Sequence, residues 1–164
     1  MKKINVITLA LLISLGLGVN FNQVHSQTTN VAPYSQIQYT NANALDVVAN
    51  PSKYLHRNIR IKGKFDKFST LGLDYQPALR SSEKFISFLI QRPDVTDHNI
   101  PLSEMKIFLK KEIAEKNIDL DAGDEIEFTG RVFSTALGDA WLDVDTFKVL
   151  TKKNPPKQEE KSFD

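Results

Sequence analysis

Residues 58–69 read NIRIKGKFDKFS, and this stretch carries most of the information about the fold class. Ile59 and Ile61 alternate with charged side chains, which predicts a β-strand with one buried face. Gly63 interrupts that face, and the apolar positions shift by one after Phe65, as a β-bulge requires. A strand with a central glycine and a bulge is expected to coil strongly.

Residues 125–134, EIEFTGRVFS, repeat this design with Gly130 at the centre and Ile126 and Phe128 on the inner face. In both stretches a basic residue follows the glycine, and Phe-Ser-Thr and a Leu-Gly turn come after it. One interpretation is a pair of similar loops that flank a site. The interpretation that we favour is that two strongly coiled barrel strands share the same local requirements.

Three other stretches complete the predicted sheet. Residues 85–91, FISFLIQ, form the clearest strand, and residues 140–149 form the last one, with Leu142 and Val144 on one face and Trp141 on the other. Residues 72–79 are predicted to be a weak strand that pairs with 85–91, and residues 94–100 are the alternative partner.

Two helices are predicted. In residues 103–116 four apolar side chains share one face, which is typical of an amphipathic helix: Met105, Phe108, Leu109 and Ile113. Ser103 is expected to cap the N-terminus of this helix. Residues 43–49 predict a short N-terminal helix capped by Asn43, with three apolar side chains on one stripe: Leu45, Val48 and Ala49.

The two ends of the chain are predicted to lie outside the folded domain. Residues 1–26 combine two lysines, a short apolar run and small residues before Gln27, which is the pattern of a secretory signal peptide cleaved after Ser26. Residues 27–42 are expected to be a flexible lead-in, residues 43–150 the barrel domain, and residues 151–164 a disordered tail. The protein is therefore expected in the periplasm or outside the cell, without a membrane anchor after cleavage.

Composition narrows the functional classes. The 164 residues contain 21 Lys and Arg against 20 Asp and Glu, so the net charge does not favour binding to nucleic acid or to an anionic membrane. Cysteine is absent, which excludes disulfides, thiolate metal sites and a cysteine nucleophile. No motif for a nucleophile, a zinc hydrolase or a phosphate loop is found. The sequence therefore predicts a non-enzymatic protein without a cofactor.

The order of these elements and two motifs carry a family resemblance. The motifs are NPxxYxxRxIxIxG at residues 50–63 and LxxGDxIxFxG at residues 120–130. They resemble exported bacterial OB-fold proteins, including those grouped as tRNA-anticodon-binding-like domains. The resemblance implies an all-β, five-stranded Greek-key barrel with one α-helix between strands 3 and 4, besides the short N-terminal helix.

The resemblance also implies where a ligand would bind. OB-folds use the outer face of strands 2 and 3 and the loops joining strands 1–2 and 4–5. Phe85 and Leu89 are expected to lie outside the barrel, where large apolar groups require a partner or a cover. The N-terminal segment, with Tyr34, Ile37, Tyr39 and Leu45, is the alternative cover. The predicted ligand-binding residues are Tyr75, Arg80, Phe85, Leu89, Arg92 and Trp141.

We expect the partner to be a protein or a component of the cell envelope. The first alternative is single-stranded oligonucleotide binding, which needs a basic groove with aromatic side chains. The residues that would serve it are Lys62, Lys64, Arg80 and Arg92. The oligomeric state does not follow from the sequence.

The second alternative is a metal-dependent hydrolase. Asp139, Asp143 and Asp145 alternate onto one face of the last predicted strand, and three carboxylates in a row are ligands of the kind that a hard cation takes. No second set of oxygen ligands is evident in the sequence, so a solvated outer face is the favoured interpretation.

Overall fold

The structure, a computed structural model, describes residues 36–96 and 100–154. Its strands are β1 (Thr40–Asn41), β2 (Asn58–Ser69), β3 (Phe85–Ile90), β4 (Met105–Lys110), β5 (Glu125–Ser134) and β6 (Ala140–Thr151). Its α-helices are α1 (Ala44–Ala49), α2 (Pro51–Tyr54) and α3 (Lys111–Glu115), and single 3₁₀ turns lie at Gln76–Ala78 and Ala136–Gly138. None of the helices in these two ranges is long and apolar enough to cross a membrane.

Strands β2 to β6 form a closed barrel. The strand order is β1-β2-β3-β4-β6-β5, and β2 pairs with β5 as well as with β3, which closes the sheet on itself. Strands β4 and β6 are parallel, and the other barrel strands pair antiparallel. With α3 between β4 and β5, this is the OB-like barrel that the sequence predicts.

The barrel interior is filled from alternate strand positions, as the period-2 patterns predict. Ile59, Ile61 and Phe65 of β2 are buried, and Ile126 and Phe128 of β5 are fully buried opposite them. The predicted bulge in β2 is also present, because the register with β3 shifts between Phe65 and Lys67.

The prediction of a helix over residues 103–116 is wrong for its first part. Met105–Lys110 is strand β4, and only Lys111–Glu115 is helical. Ser103 caps no helix. Ile107 and Leu109 point into the barrel, and Phe108 points to the outer face, where it is also fully buried.

The predicted strand over residues 72–79 is also absent. This segment belongs to an irregular connection, residues 70–84, that we call the β2–β3 loop. Strand β3 pairs with β2 along one edge and with β4, not with residues 94–100, along its other edge. Residues 97–99 lie outside the described part of the chain.

The N-terminal elements follow the prediction in part. The side chain of Asn43 accepts a hydrogen bond from the Leu45 N–H and caps α1, as expected. Ala44 and Val47 are the buried residues of this helix, whereas Ala49 is exposed. Within the predicted lead-in, Thr40–Asn41 pairs with β2. The predicted signal peptide and residues 155–164 of the predicted tail lie outside the described residues.

Candidate functional site

The outer face of β3, β4 and β6 is covered by the chain itself. The β2–β3 loop lies over this face and stacks Tyr75 on Trp141, with ring centroids 5.3 Å apart and planes inclined by 25°. Trp141 in turn stacks on Phe108 at 5.8 Å. Phe85 and Phe133 pack against the same group. We call these five residues the outer aromatic cluster.

Arg80 fastens the loop to this face. Its Nε donates to Asp143 Oδ1 at 2.7 Å and its Nη2 donates to Asp143 Oδ2 at 2.5 Å, a two-point ion pair. Its guanidinium lies 3.8 Å from the ring centroid of Phe133, within the range of a cation–π contact. A paired and stacked arginine of this kind holds the loop at two points.

Of the two interpretations of Phe85 and Leu89, a binding platform or a covered face, the structure shows the covered face. Leu89 is only 6% exposed, and Phe85 packs into the outer aromatic cluster. The β2–β3 loop covers Phe85. In the described part of the N-terminal segment, Leu45 packs against the barrel interior and Ile37 is exposed. Tyr34 lies outside the described residues.

Trp141 is a buried structural residue. It is 1% exposed, and its Nε1–H donates to the carbonyl of Ala136 in the turn between β5 and β6 at 2.7 Å. Both the β2–β3 loop and this turn therefore converge on one indole. The sequence feature that could have predicted this covered face is the apolar content of the β2–β3 loop, because its residues Leu73 and Ala78 also pack in this cluster.

The three carboxylates of the hydrolase alternative each have a separate partner. Asp143 pairs with Arg80, Asp139 lies 2.9 Å from Lys106 Nζ, and Asp145 accepts from the Tyr39 hydroxyl at 2.9 Å. Burial raises the pKa of Tyr39, and the hydrogen bond to Asp145 adds to that shift. Within the described ranges, no group of three His, Cys, Asp or Glu side chains is placed to hold a metal ion.

An open cavity lies away from the outer aromatic cluster. It lies beside β2, between the part of β2 that pairs with β1 and the part that pairs with β3. Its volume is about 270 Å³. A second cavity of about 550 Å³ adjoins it and shares three of its residues. We call the first cavity the edge groove; it is lined by Ala44, Lys62, Gly63, Lys64, Ile90, Gln91, Arg92, Pro93 and Val95.

The charges in the edge groove are all positive. Lys62, Lys64 and Arg92 line it, and no carboxylate is among its lining residues. Arg92 is held in place from outside the lining, by Glu104 at 2.5 Å and Asp94 at 3.2 Å.

These contacts also shift the pKa values. The hydrogen bonds to Asp94 and Glu104 raise the pKa of Arg92. Burial alone would raise the pKa of Glu104, but the hydrogen bond from Arg92, a backbone hydrogen bond and the nearby charges of Arg92 and Lys106 together outweigh it and hold that pKa below its usual value. Arg92 is therefore a fixed cation at the rim of the edge groove.

The structure brings together only part of each predicted site. Of the four residues of the oligonucleotide alternative, Lys62, Lys64 and Arg92 meet in the edge groove, whereas Arg80 lies in the outer aromatic cluster. The ligand-binding prediction is divided in the same way, since Tyr75 and Trp141 stack together away from Arg92. The sequence had no signal for the edge groove itself, because it arises where β1 ends beside β2.

Comparison with known proteins adds little beyond the fold. No protein-family model matches the sequence, and no curated protein matches it. Solved structures that overlay on the chain include asparaginyl-tRNA synthetase from Pyrococcus horikoshii, with 17% identity and a TM-score of 0.42 over 61% of this chain. The overlay spans 20% of that synthetase.

A second overlay is with an OBody bound to hen egg-white lysozyme. The identity is 10% and the TM-score 0.46, over 70% of this chain and 97% of the OBody. Overlays of this quality do not identify a ligand. The assignment of an OB-like barrel rests on the strand order and the closing pair β2–β5.

Proposed function

We propose that this protein is an exported, non-enzymatic binding module for a protein or cell-envelope partner. The observation that carries the proposal is that one of the two candidate surfaces is covered and the other is open. The chain's own loop occupies the outer aromatic face, whereas the edge groove is open and lined by cations. A partner therefore meets the edge groove without first displacing part of the barrel.

The buried aromatic face argues against the oligonucleotide alternative. Binding of single strands relies on aromatic side chains on which bases stack. Here Trp141 is stacked between Tyr75 and Phe108, and no aromatic side chain lines the edge groove. The cations of the groove would have to bind phosphates without such a platform.

The pairing of the acidic residues supports a non-catalytic role. A general acid or base needs a carboxyl group that can reach a substrate and exchange its proton. Asp139 and Asp143 are engaged by a lysine and an arginine, and Glu104 is engaged by Arg92. Export is supported by the signal-peptide pattern of residues 1–26.

The test uses the protein purified from the exported fraction of its producing cells. Its N-terminal residue is determined first, and Gln27 is the expected result. The immobilised protein is then exposed to envelope extracts beside the double variant Lys62→Glu/Lys64→Glu. We expect a defined partner that the wild-type protein retains and the double variant loses. The variant Lys67→Glu is the matched control, because Lys67 is an exposed lysine of β2 outside the edge groove.

The oligonucleotide alternative is tested in the same preparation. A labelled mixed single strand is titrated at low and high salt and read by anisotropy. Phosphate contacts release counterions, so true binding would weaken steeply with salt. We expect no binding at low salt. Tight and salt-sensitive binding, or turnover of a substrate by the purified protein, would overturn the proposed function.

A further inference from the structure

The edge groove combines apolar lining with cations. Ile90 and Val95 line it with branched aliphatic side chains, and Ala44 and Pro93 add smaller apolar groups. Ile90 belongs to the barrel core, so the groove reaches down to the core at this point. A Cβ on Gly63 would lie 3.4 Å from the Cδ1 of Ile90, so the missing side chain of this glycine leaves space beside Ile90. An apolar group of a ligand can therefore lose its water in this groove.

The three cations of the groove differ in how far neighbouring carboxylates neutralise them. Arg92 is paired with two carboxylates, as described above. Lys62 Nζ lies 3.8 Å from Glu127 Oε2, a loose pair in which 69% of the lysine side chain is exposed. Lys64 is exposed, and none of the ion pairs between described residues includes it. The groove therefore offers about one unneutralised positive charge, which matches a ligand with a single negative charge.

The position of these lysines defines where that negative charge would lie. Lys62 and Lys64 are two residues apart on β2, so their side chains leave the same face of the strand. A carboxylate has two oxygens and can accept from both ammonium groups. A doubly charged phosphate is a poorer match, because the carboxylates of Glu127 and Asp94 already neutralise the other cations nearby.

The size of the groove limits the apolar part of the ligand. Its volume of about 270 Å³ is at the small end for ligand pockets. At ~30 Å³ for each water displaced, it holds a ligand of roughly ten non-hydrogen atoms. The adjoining cavity is lined by Arg60, Glu127 and the amides of Asn41 and Asn43, which suit an alkyl chain poorly. The apolar part of the ligand is therefore expected to stay within the edge groove.

We infer that the edge groove binds a free medium-chain carboxylic acid. Its carboxylate accepts from Lys64 and Lys62, and its alkyl chain lies along Ile90 and Val95. This inference rests on the proposed function, since it takes the partner to be an envelope component and names its chemistry as a cleaved acyl chain. The ligand does not compete with β1, because Ala42 lines the adjoining cavity and not the edge groove.

The test titrates the purified exported protein with sodium octanoate up to about 10 mM and follows the backbone amides by two-dimensional NMR. We expect saturable shifts at Gly63, Lys64, Ile90 and Val95, with a Kd of about 0.1–1 mM for a ligand of this size. Butanoate lacks four methylene groups and is expected to bind at least about tenfold more weakly. Octanol lacks the charge and is expected to bind at least about fivefold more weakly, as is hexyl phosphate.

Matched protein variants test the contribution of the cation. Lys64→Gln is expected to weaken octanoate binding at least about threefold, whereas Lys67→Gln, on the same strand but outside the groove, leaves it unchanged. The absence of saturable shifts at about 10 mM octanoate, or shifts centred on the outer aromatic cluster, overturns the inference. Equal binding of octanol and octanoate overturns it as well, because the lysines would then have no part in recognition.

The capture experiment with envelope extracts separates this inference from the proposed function. If octanoate fails and a partner is still captured through Lys62 and Lys64, the proposed function stands and the ligand class is wrong. If octanoate binds as predicted and the extracts yield no partner, the inference stands and the proposal of a larger partner fails. If neither binds, both are wrong.

Discussion

Three residues other than glycine in the described ranges have a left-handed backbone, His56, Asp74 and Leu137, and of these Leu137 alone has an aliphatic side chain. It has φ of 60° and ψ of 14° in the turn between β5 and β6, and its side chain is 72% exposed. For a residue other than glycine, this left-handed conformation costs about 1–2 kcal/mol. The exposed side chain recovers little of that cost by burial, so the strain is a local loss of stability.

Replacement of this leucine is therefore expected to stabilise the protein. Leu137→Gly removes the strain but makes the unfolded chain more flexible, and the net gain is about 0.5–1 kcal/mol. The measurement is urea unfolding followed by Trp141 fluorescence. Leu79→Gly is the control, because Leu79 is also exposed but has φ of −55°. That control is expected to lose stability, and a loss in both variants would contradict the strain argument.

Asp124 gives the stability a defined dependence on pH. It is fully buried, and its carboxylate accepts from the N–H groups of Lys153 at 2.8 Å and Asp121 at 3.0 Å. Lys152 Nζ lies 3.3 Å away. Burial alone would raise the pKa of Asp124, but these donors outweigh it and hold the pKa below its usual value. The carboxylate joins the end of β6 to the start of β5.

The sign of the pH effect follows from this lowered pKa. The contribution is present above the unfolded-state pKa, near 3.9, and is lost as pH falls through the lower folded-state pKa. Asp124→Asn is expected to cost about 1–3 kcal/mol at pH 7, and the difference from wild type should shrink below about pH 4. Urea unfolding across this range measures it. The exposed residue Asp121 supplies the control Asp121→Asn, and a cost for Asp124→Asn that is constant with pH would contradict the assignment.

At the scale of elements, β4 shows why part of the fold was mispredicted. The segment MKIFLK places apolar residues at 105, 108 and 109, which matches the spacing of a helix face. In the structure both faces of this strand are buried, one by the barrel interior and one by the β2–β3 loop. A strand covered on both sides has no polar alternation, so periodicity alone does not distinguish it from a helix. By contrast β2 and β5 keep one solvated face, and their bounds were predicted correctly.

The two glycine-containing strands look alike in sequence but use their glycines differently. A Cβ on Gly130 would lie 2.0 Å from the backbone oxygen of Asp143, where β5 and β6 change register. A Cβ on Gly63 would meet only the side chain of Ile90, at 3.4 Å. The sequence identifies both positions as unusual, but only the packing of β6 shows which one requires glycine.

A pair of alanine variants tests this difference. Gly130→Ala is expected to cost at least about 3 kcal/mol or to prevent folding, because rigid backbone must move to admit the methyl group. Gly63→Ala is expected to change stability by less than about 1 kcal/mol, since the Ile90 side chain can shift. Urea unfolding with far-UV circular dichroism measures both. Equal costs for the two variants would show that the close approach at Gly130 relaxes easily.

For the whole molecule, closure of the barrel depends on pairing between distant parts of the chain. Strand β2 pairs with β5 from Asn58 opposite Arg131, whereas β5 and β6 are joined directly by a short turn. The OB-like fold class was predicted correctly from the two glycine motifs and the number of elements, although the second and third barrel strands were assigned to the wrong segments. The edge groove and the covered outer face were not predictable, because each depends on where a connecting segment lies after the barrel has closed.

The same topology predicts the order of folding events. Local contacts cost less loop-closure entropy than distant ones, so the β5–β6 hairpin is expected to form before β2 closes the barrel. Val144→Ala in β6 should therefore slow folding, with a φ-value above about 0.5. Ile61→Val at the β2–β5 seam should mainly speed unfolding, with a φ-value below about 0.3.

Stopped-flow urea jumps read by Trp141 fluorescence measure both rates. Refolding is expected within milliseconds to seconds, as for other barrels dominated by distant pairings. Both side chains are buried, so each truncation should change stability enough for a φ-value to be meaningful. A larger φ-value for Ile61→Val than for Val144→Ala would place barrel closure ahead of the hairpin, and β2 rather than β6 would then organise the fold.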